Sequence, residues 1–216
     1  MKKRGIKVLT GHGVREILGK ECVEAVNVEH DGRIESLKAD AVILSMGYRP
    51  NVDLARKLKQ VTFNRDGFIK VDEYMRTDQA DVFAVGDCAE KRDFFTRRRS
   101  TAMLASIACA EARVAGMNLY KLSTLKTIGG TIAIFSTALN GTGFGAAGLT
   151  ETVAREEGFD IIVGKFEGVD RHPGILNNPH KQIVKLIAGR ENGIILGGEV
   201  MGGSSTGELI NIIGLI

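Results

Sequence analysis

The feature that most constrains the fold of this chain is a short apolar run that ends in a glycine and an acid. Residues 82–85 have the β-branched and aromatic composition of a strand covered on both faces of an α/β sheet. Gly86 permits a sharp turn, which places Asp87 at the carboxyl end of that strand. Ligands bind at this edge of open α/β sheets, where a carboxylate can accept hydrogen bonds from sugar or polyol hydroxyls. A Gly-Asp pair can also be only a turn cap, so residue type leaves both interpretations open.

The composition is that of an ordinary globular protein. Of the 216 residues, 44% are hydrophobic and 25% are charged, so the chain can bury one large core or two small ones. The net charge of +3 is too small and too evenly spread to indicate binding to nucleic acid. The dense basic run at residues 97–99, after Lys91 and Arg92, is interpreted as a solvated loop or as a contact for a phosphate or a partner.

The cysteines and the apolar runs bear on the compartment. Cys22, Cys88 and Cys109 lack metal-ligand spacing and form no C-x-x-C motif, which indicates reduced thiols inside a cell and no metal site. No signal peptide precedes the first charged segment, and no apolar run reaches the length of a membrane span. The sequence therefore predicts a cytoplasmic protein without a membrane partner.

The first part of the chain predicts a small antiparallel meander. Apolar and polar residues alternate in short runs that are separated by glycine-containing breaks. Asp31-Gly32 fits a two-residue hairpin turn. The predicted strands are residues 6–9, 14–18, 22–29 and 33–38.

A second apolar run, residues 41–47, predicts another buried strand. Gly47 ends this run, and Pro50 prevents any further ladder of hydrogen bonds. A short amphipathic segment follows at residues 52–58. Asp66-Gly67 then predicts a second hairpin turn, which leads into the strand before the glycine-acid turn.

An alanine-rich helix is predicted after the basic run. Ser100 or Thr101 offers an N-cap, and residues 102–115 have high helix propensity. Gly116 then ends the helix. The small residues allow close approach to a flat ligand, but they suit a tightly packed core helix equally well.

From about Ser123 the pattern changes to that of an α+β domain with one helix on a mostly antiparallel sheet. Thr150 is the predicted N-cap of the helix, and Glu191-Asn192-Gly193 is a tight turn between the last two strands. The predicted elements are strands at 131–135, 160–166, 182–188 and 194–201, the helix at 149–157, and an apolar helical face at 209–216.

Residues 141–146, G-T-G-F-G-A, fit the dinucleotide-binding fingerprint G-x-G-x-x-A. The helix that follows is short, and Asp160 begins the next strand, whereas the fingerprint requires an acid that ends it. We therefore interpret this segment as a glycine-rich bulge.

Several of these stretches resemble one protein family. Residues 77–90, T-D-Q-A-D-V-F-A-V-G-D-C-A-E, resemble the flavin-binding strand of the pyridine nucleotide-disulfide oxidoreductases, in particular the NADH oxidase, NADH peroxidase and coenzyme A-disulfide reductase branch. Residues 104–116 resemble the family's helix whose N-terminus faces the flavin pyrimidine ring, with Met103 where proline is usual. G-L-T-E and G-F-D-I-I-V-G resemble its interface domain. Ser45-Met46-Gly47 before Arg-Pro-Asn is similar to the end of its NAD domain, which usually closes Ala-Thr-Gly.

The resemblance implies a fold class, an α/β remnant of a nucleotide-binding domain of the FAD/NAD(P)-binding type followed by an α+β interface (dimerisation) domain. It implies that residues 1–52 are the C-terminal part of an NAD(P)H-binding domain and residues 53–122 that of an FAD-binding domain. Residues 123–216 would be the interface domain, truncated at its C-terminus.

The resemblance also implies a set of cofactor-binding residues. Asp87 would hold a ribityl hydroxyl of FAD. The N–H groups and partial positive charge at the helix N-terminus would suit the charge that develops on a reduced flavin. Cys88 would be a buried packing thiol, and no catalytic residue or metal ligand is assigned. The implied cofactor-binding residues are Gly47, Gly86, Asp87, Leu104, Ala105 and Ser106.

The implied function is that of the C-terminal portion of an FAD-dependent NAD(P)H oxidoreductase. Complete family members carry two G-x-G-x-x-G units and a redox-active cysteine or cysteine pair, which this sequence lacks, so we expect these residues alone to be inactive. The electron acceptor stays open among oxygen, peroxide and a disulfide. His172 stands where coenzyme A-disulfide reductases carry tyrosines, which counts against coenzyme A. The alternative is a non-catalytic dimerisation and flavin-edge module.

A homodimer is predicted from the apolar content of the last region. A sheet with one helix leaves a face or an edge uncovered, which a two-fold partner would cover. The residues predicted to form this surface are Ile194, Ile195, Leu196, Ile210, Ile212, Ile213, Leu215 and Ile216.

Overall fold

The computed structural model describes residues 5–121, 126–172 and 174–215. The chain divides into two compact units, Met1–Tyr48 and Arg49–Ile216, and each is described by itself. Among the described residues, every helix is too short or too polar to cross a bilayer.

The first unit is a three-stranded antiparallel sheet, as the meander pattern predicted. Asp31 and Gly32, with φ of 49° and 75°, form the tight turn between the second and third strands. Residues 6–9, predicted as a further strand, are irregular. The strands are β1 (Gly13–Leu18), β2 (Ala25–His30) and β3 (Arg33–Lys38), in the order β1-β2-β3.

The prediction of a buried strand at residues 41–47 is wrong. This segment has no regular structure, and Ile43 and Met46 are 92% and 76% exposed. A strand needs a hydrogen-bonded neighbour and a cover for its apolar faces. Within the described part of this unit, the sheet of β1, β2 and β3 pairs with no part of the segment.

The second unit begins with irregular chain wrapped around a small core of Val52, Val61, Ile69, Ala84 and Ala89. A single turn of 3₁₀ helix, Ala55–Lys57, lies within the predicted amphipathic segment. The predicted hairpin around Asp66-Gly67 is present as one antiparallel bridge between Phe63 and Ile69.

The strand predicted at residues 82–85 is extended chain and forms no regular ladder. It makes one antiparallel bridge, between Phe83 and Arg76. Val85 has the extended dihedrals φ −139° and ψ 158°, and Ala84 is buried in the core. The apolar pattern thus predicted extension correctly and burial only in part, since Val82, Phe83 and Val85 are half-buried, and the regular sheet around the segment is missing from the described residues.

The next elements are a two-residue hairpin, β4 (Lys91–Arg92) with β5 (Arg99–Ser100), and the helix α1 (Ala105–Met117). The predicted start of this helix is three residues too early. Neither Ser100 nor Thr101 is the N-cap, because Ser100 pairs with Lys91 across the hairpin and residues 101–104 are not helical; the N-cap is Leu104.

The last region is an antiparallel five-stranded sheet with the order β6-β7-β10-β9-β8. Thr150 is the N-cap of the first helix of this region, and its side chain accepts a hydrogen bond from the N–H of Val153 at 3.3 Å, as predicted. The elements are β6 (Ile134–Leu139), β7 (Thr142–Gly148), α2 (Glu151–Glu156), β8 (Ile161–Val169), β9 (Lys181–Gly189), β10 (Ile195–Gly202) and α3 (Thr206–Leu215).

In the glycine-rich segment 141–146, Gly141 lies in a turn and residues 142–146 lie in the regular strand β7, so the prediction of a bulge is wrong. The glycines of this segment let α3 pack closely on β7. A Cβ added at Gly143 would lie 2.8 Å from the Cβ of Thr206, and one at Gly145 would lie 2.9 Å from that of Ile210. The glycines therefore serve helix-on-sheet packing, and the segment does not form the strand-to-helix loop that a dinucleotide fingerprint requires.

Part of the apolar surface predicted for a partner lies in the core. Ile210 and Ile213 are buried where α3 packs on β7 and β10, and Leu196 is buried in a separate cluster with Leu149, Ala154, Ile161 and Ile187. Ile194, Ile212 and Leu215 are exposed. Ile216 lies outside the described residues.

Candidate cofactor-binding site

The candidate site is centred on the turn Gly86–Cys88, one turn of 3₁₀ helix after the extended segment. Gly86 has φ of +76°, and a Cβ there would lie 3.3 Å from the Cβ of Ala108 on α1. Both the left-handed backbone and the close approach favour glycine at this position. The turn is thereby held directly against helix α1.

Asp87 lies at the tip of this turn with its side chain exposed. It makes no hydrogen bond and no ion pair within the part of the chain that the structure describes. A carboxylate in this state retains its full capacity to accept hydrogen bonds from a ligand. The turn-cap interpretation gains no support, since no backbone N–H of the described residues is bonded to the carboxylate.

The N-terminus of α1 is the second feature of the site. The first intrahelical bond runs from the N–H of Ala108 to the carbonyl of Leu104, at 3.1 Å, and no side chain caps the helix. Ala105 and Ser106 are exposed, and Leu104 is half-buried. The N–H groups of the first turn have no intrahelical acceptor and carry the positive end of the helix dipole.

The contact of Gly86 with Ala108 places Asp87 beside the first turns of α1. The Asp87 carboxylate, which can accept hydrogen bonds from hydroxyl groups, therefore lies next to the free N–H groups of α1, which can donate to the electron-rich edge of a ligand ring. These residues fit a flavin nucleotide, whose polyol chain and pyrimidine ring carry these two kinds of group.

A buried ion pair that the sequence reasoning missed lies beneath the turn. The side chains of Lys91 and Glu111 are each 2% exposed, and Lys91 Nζ lies 3.6 Å from Glu111 Oε1. Glu111 Oε2 accepts a hydrogen bond from the N–H of Gly86 at 2.7 Å. Lys91 Nζ donates to the carbonyl oxygens of Gly86 and Ala89, the latter at 3.1 Å.

Burial raises the pKa of Glu111 above its usual value, and the negative charge of Asp87 acts in the same direction. The N–H of Gly86 and the ammonium of Lys91 oppose this rise. The net direction of the pKa is upward, because desolvation penalises the charged form more than these contacts favour it.

One signal in the sequence points to Glu111. It lies on the buried face of α1 between Ile107 and Val114, at positions i, i+4 and i+7, where an apolar residue is expected. An acid in that stripe requires a buried partner. Lys91 precedes the basic run at residues 97–99, and nothing near it in sequence indicates that it is buried.

The arginines of the basic run, residues 97–99, contact other segments of this chain. Arg98 pairs with Glu157 at 2.8 Å, and Arg99 lies 3.5 Å from both Glu90 and Asp66. Arg97 donates to the carbonyl of Gly129. All three arginines are exposed, as predicted for a solvated loop, and their pairings join the loop to neighbouring segments of the chain.

The other predicted site residues are placed as follows. Gly47 lies in the first unit, exposed and with φ of +86°. Cys88 is half-buried against the core, and its thiol donates to the carbonyl of Val85 at 3.4 Å, which suits the predicted packing role. Within the described residues, no cluster of three or more ligating side chains could hold a metal ion.

Two profile matches define the class of protein. Residues 1–112 match the pyridine nucleotide-disulphide oxidoreductase family, and residues 134–216 match the dimerisation domain of the same family. The chain therefore belongs to the pyridine nucleotide-disulphide oxidoreductases, and the prediction of family and fold class is confirmed.

Individual relatives agree with this membership. The chain is 32% identical to an NADH oxidase of Methanocaldococcus jannaschii, over 100% of this chain and 46% of the relative. It is 30% identical to a dihydrolipoyl dehydrogenase of Mycobacterium leprae, over 93% and 41%. A solved FAD-dependent pyridine nucleotide-disulphide oxidoreductase from Desulfovibrio vulgaris is 29% identical, with a TM-score of 0.71 over 99% of this chain and 50% of that one. The chain thus spans about half or less of the length of each of these proteins.

Proposed function

We propose that this chain is the C-terminal portion of an FAD-dependent NAD(P)H oxidoreductase of the NADH oxidase type. The observation that carries the proposal is the exposed, unpaired carboxylate of Asp87 held beside the uncapped N-terminus of α1. Membership of the family and the FAD-dependent relative support the same cofactor. Bound FAD would supply the redox chemistry, taking hydride from NAD(P)H and passing electrons to oxygen, peroxide or a disulfide.

The residues of the chain would divide the work of holding that cofactor. Asp87 would accept hydrogen bonds from the ribityl hydroxyls, and Gly86 would let the turn approach closely. The first turn of α1, at Leu104, Ala105 and Ser106, would donate to the pyrimidine edge of the flavin. We assign Gly47 to the NAD(P)H-binding part.

The proposed domain limits are residues 1–52 for the NAD(P)H-binding part, 53–122 for the FAD-binding part and 123–216 for the interface domain. The family profiles support a boundary between residues 112 and 134. A cytoplasmic location is part of the proposal, and the three free cysteines agree with it.

Replacing Asp87 with alanine tests the flavin site in the full-length protein. Loss of a charge-assisted acceptor costs about 1.5–3 kcal/mol, so the Kd for FAD is expected to rise about tenfold or more. Dialysis followed by measurement of the flavin absorption gives the Kd. Asp53→Ala, the same change at another exposed acid, is the control and should leave the Kd unchanged. Equal FAD retention in Asp87→Ala and wild type would show that Asp87 is only a turn residue.

The 216 residues alone are expected to turn over no NADH. The G-x-G-x-x-G units and the redox cysteine of the family are absent from this sequence, and positioning of both cofactors supplies much of the rate. The measurement is NADH oxidation by the purified chain with added FAD, against free FAD as the control. Turnover well above that of free FAD would contradict the expectation. A full-length protein that is colourless as purified would instead favour the non-catalytic dimerisation module.

We further propose a homodimer through residues 123–216. The match to a dimerisation domain supports it. So does an apolar surface on the sheet face opposite α3, where Phe144 aligns with Met201 and Met201 with Ile183. Phe135 and Phe144 are 57% and 40% exposed on this face, and a second copy would cover them.

Light scattering at micromolar concentration is expected to return the mass of a dimer. Phe144→Glu would place a charge in the proposed interface and should shift the mass to that of a monomer. Phe166→Glu is the control, because Phe166 is also exposed but pairs with Val184, whose side chain lies on the α3 side. A monomer mass for the wild type, with no tendency to aggregate, would contradict the proposal.

A further inference from the structure

The buried pair Lys91 and Glu111 holds the two peptide groups that precede Asp87. Glu111 Oε2 accepts from the N–H of Gly86, which belongs to the peptide between Val85 and Gly86. Lys91 Nζ donates to the carbonyl of Gly86, which belongs to the peptide between Gly86 and Asp87. Two consecutive peptide planes are thus oriented by side chains from two different elements, β4 and α1.

The position of Glu111 on α1 makes this contact relevant to the whole site. Glu111 follows the first helical residue, Ala105, by six positions, which is about 9 Å along the axis at 1.5 Å per residue. Helix α1 is continuous from Ala105 to Glu111, so the hydrogen bond from Gly86 ties the turn to the same helix whose N-terminus belongs to the site.

We propose that the Lys91–Glu111 pair is a positioning device, which fixes Asp87 relative to the N-terminus of α1 so that both can contact one flavin nucleotide. The inference rests on the proposed function, since it concerns the same site. Neither side chain reaches the surface, so the pair acts through Gly86 and not by touching the cofactor.

A purely stabilising role explains the pair less well. Two charges removed from water cost more in desolvation than their attraction returns in many proteins, and apolar side chains of similar size often stabilise as much. Here burial raises the pKa of Glu111 despite the nearby ammonium of Lys91, so the cost of desolvation exceeds the gain from that charge. What an apolar pair cannot provide is an acceptor for the N–H and a donor for the carbonyl of the same glycine.

The test compares three variants of the full-length protein. Glu111→Gln keeps an oxygen for the N–H of Gly86 but removes the charge. Lys91→Met/Glu111→Gln removes both charges and the donor to the Gly86 carbonyl, without leaving an unpaired ion in the core. Val114→Ala is the matched control, because Val114 is 1% exposed on the same face of α1, about one turn further on.

Three measurements separate positioning from stability: the Kd for FAD, the visible spectrum of bound flavin, and hydrogen exchange of the amides at residues 86–88 in the protein stripped of FAD. In the double variant we expect about a tenfold rise in Kd, a shifted spectrum and faster exchange. Glu111→Gln should show the same changes to a smaller extent. Val114→Ala should lower the melting temperature but leave all three readouts unchanged.

Wild-type Kd, spectrum and exchange in the double variant would overturn the inference. So would a Val114→Ala variant that loses FAD in proportion to its lost stability, because the pair would then act only through stability. A wild type that binds no FAD would instead overturn the proposed function. In that case faster exchange at residues 86–88 in the double variant alone would still support the control of the turn by the pair.

Discussion

Replacing Lys91 with methionine is expected to lower the free energy of unfolding by about 3–5 kcal/mol, the cost of removing one partner of a buried ion pair. The change leaves Glu111 without its counter-ion and removes the donor to the carbonyl oxygens of Gly86 and Ala89. Urea denaturation of the purified protein gives the difference. The double variant Lys91→Met/Glu111→Gln should recover part of the loss, because no charge is then left unpaired in the core.

The decrease in the free energy of unfolding caused by Lys91→Met should also depend on pH. Burial already raises the pKa of Glu111, and removing the lysine takes away an opposing effect, so the pKa rises further. A carboxyl group whose pKa is higher in the folded state contributes stability that is fully present below its unfolded pKa, about 4.3 for glutamate, and lost as pH rises through its folded pKa. The deficit of the variant relative to wild type should therefore grow with pH over that window.

The matched control is Lys165→Met. Lys165 pairs with Glu167 on the surface, where both side chains are more than half exposed. Exposed pairs contribute about 0–1 kcal/mol, so this variant should unfold close to wild type. A deficit in Lys91→Met as small as that of the control, or one independent of pH, would contradict the assignment of a buried ion pair.

The second large effect is expected from Gly197→Ala in the central strand β10. A Cβ at this position would come within 3.0 Å of three backbone atoms, the carbonyl and amide of Leu149 and the carbonyl of Ala147. Backbone atoms in a paired strand cannot move aside as a flexible side chain can, and forced overpacking costs about 1–3 kcal/mol or more. Gly197 is paired with Gly148 on one side and with Ile187 on the other, so β10 has little freedom to adjust.

Thermal unfolding of the Gly197→Ala variant measures this cost, and the expected result is a melting temperature lowered by several degrees. Gly164→Ala in β8 is the control, since a Cβ there would meet nothing within 4 Å. Alanine should be neutral or slightly stabilising at that position. Equal melting temperatures for the two variants would contradict the close packing of Gly197 against the backbone of Leu149.

Features that depend on a few adjacent residues were predictable from the sequence. The turn at Asp31-Gly32 requires two positive φ angles, which glycine and aspartate tolerate, and it is found with both. Thr150 caps α2 because its hydroxyl accepts from a backbone N–H three residues later. Gly193, with φ of +68°, ends the turn between β9 and β10 for the same local reason.

Features that depend on a neighbour distant in the chain were predicted less well. Residues 41–47 have the composition of a buried strand, but composition cannot supply the paired strand that would bury them. The start of α1 was misplaced, since Ser100 is a good N-cap by type and its pairing with Lys91 decides otherwise. The glycines of β7 resembled a nucleotide loop until the packing of α3 on them was known.

At the candidate site, the sequence by itself determined the chemical parts. These are a glycine that allows the turn, an acid at its tip and a small-residue helix after it, because each depends on properties of single residue types. Only the tertiary structure decided how these parts are held. Lys91 and Glu111 are twenty residues apart and become partners only when β4 and α1 pack around Gly86. Burial is a property of the whole fold, and only burial makes Lys91 and Glu111 depend on each other and on the backbone of Gly86 for their hydrogen bonds.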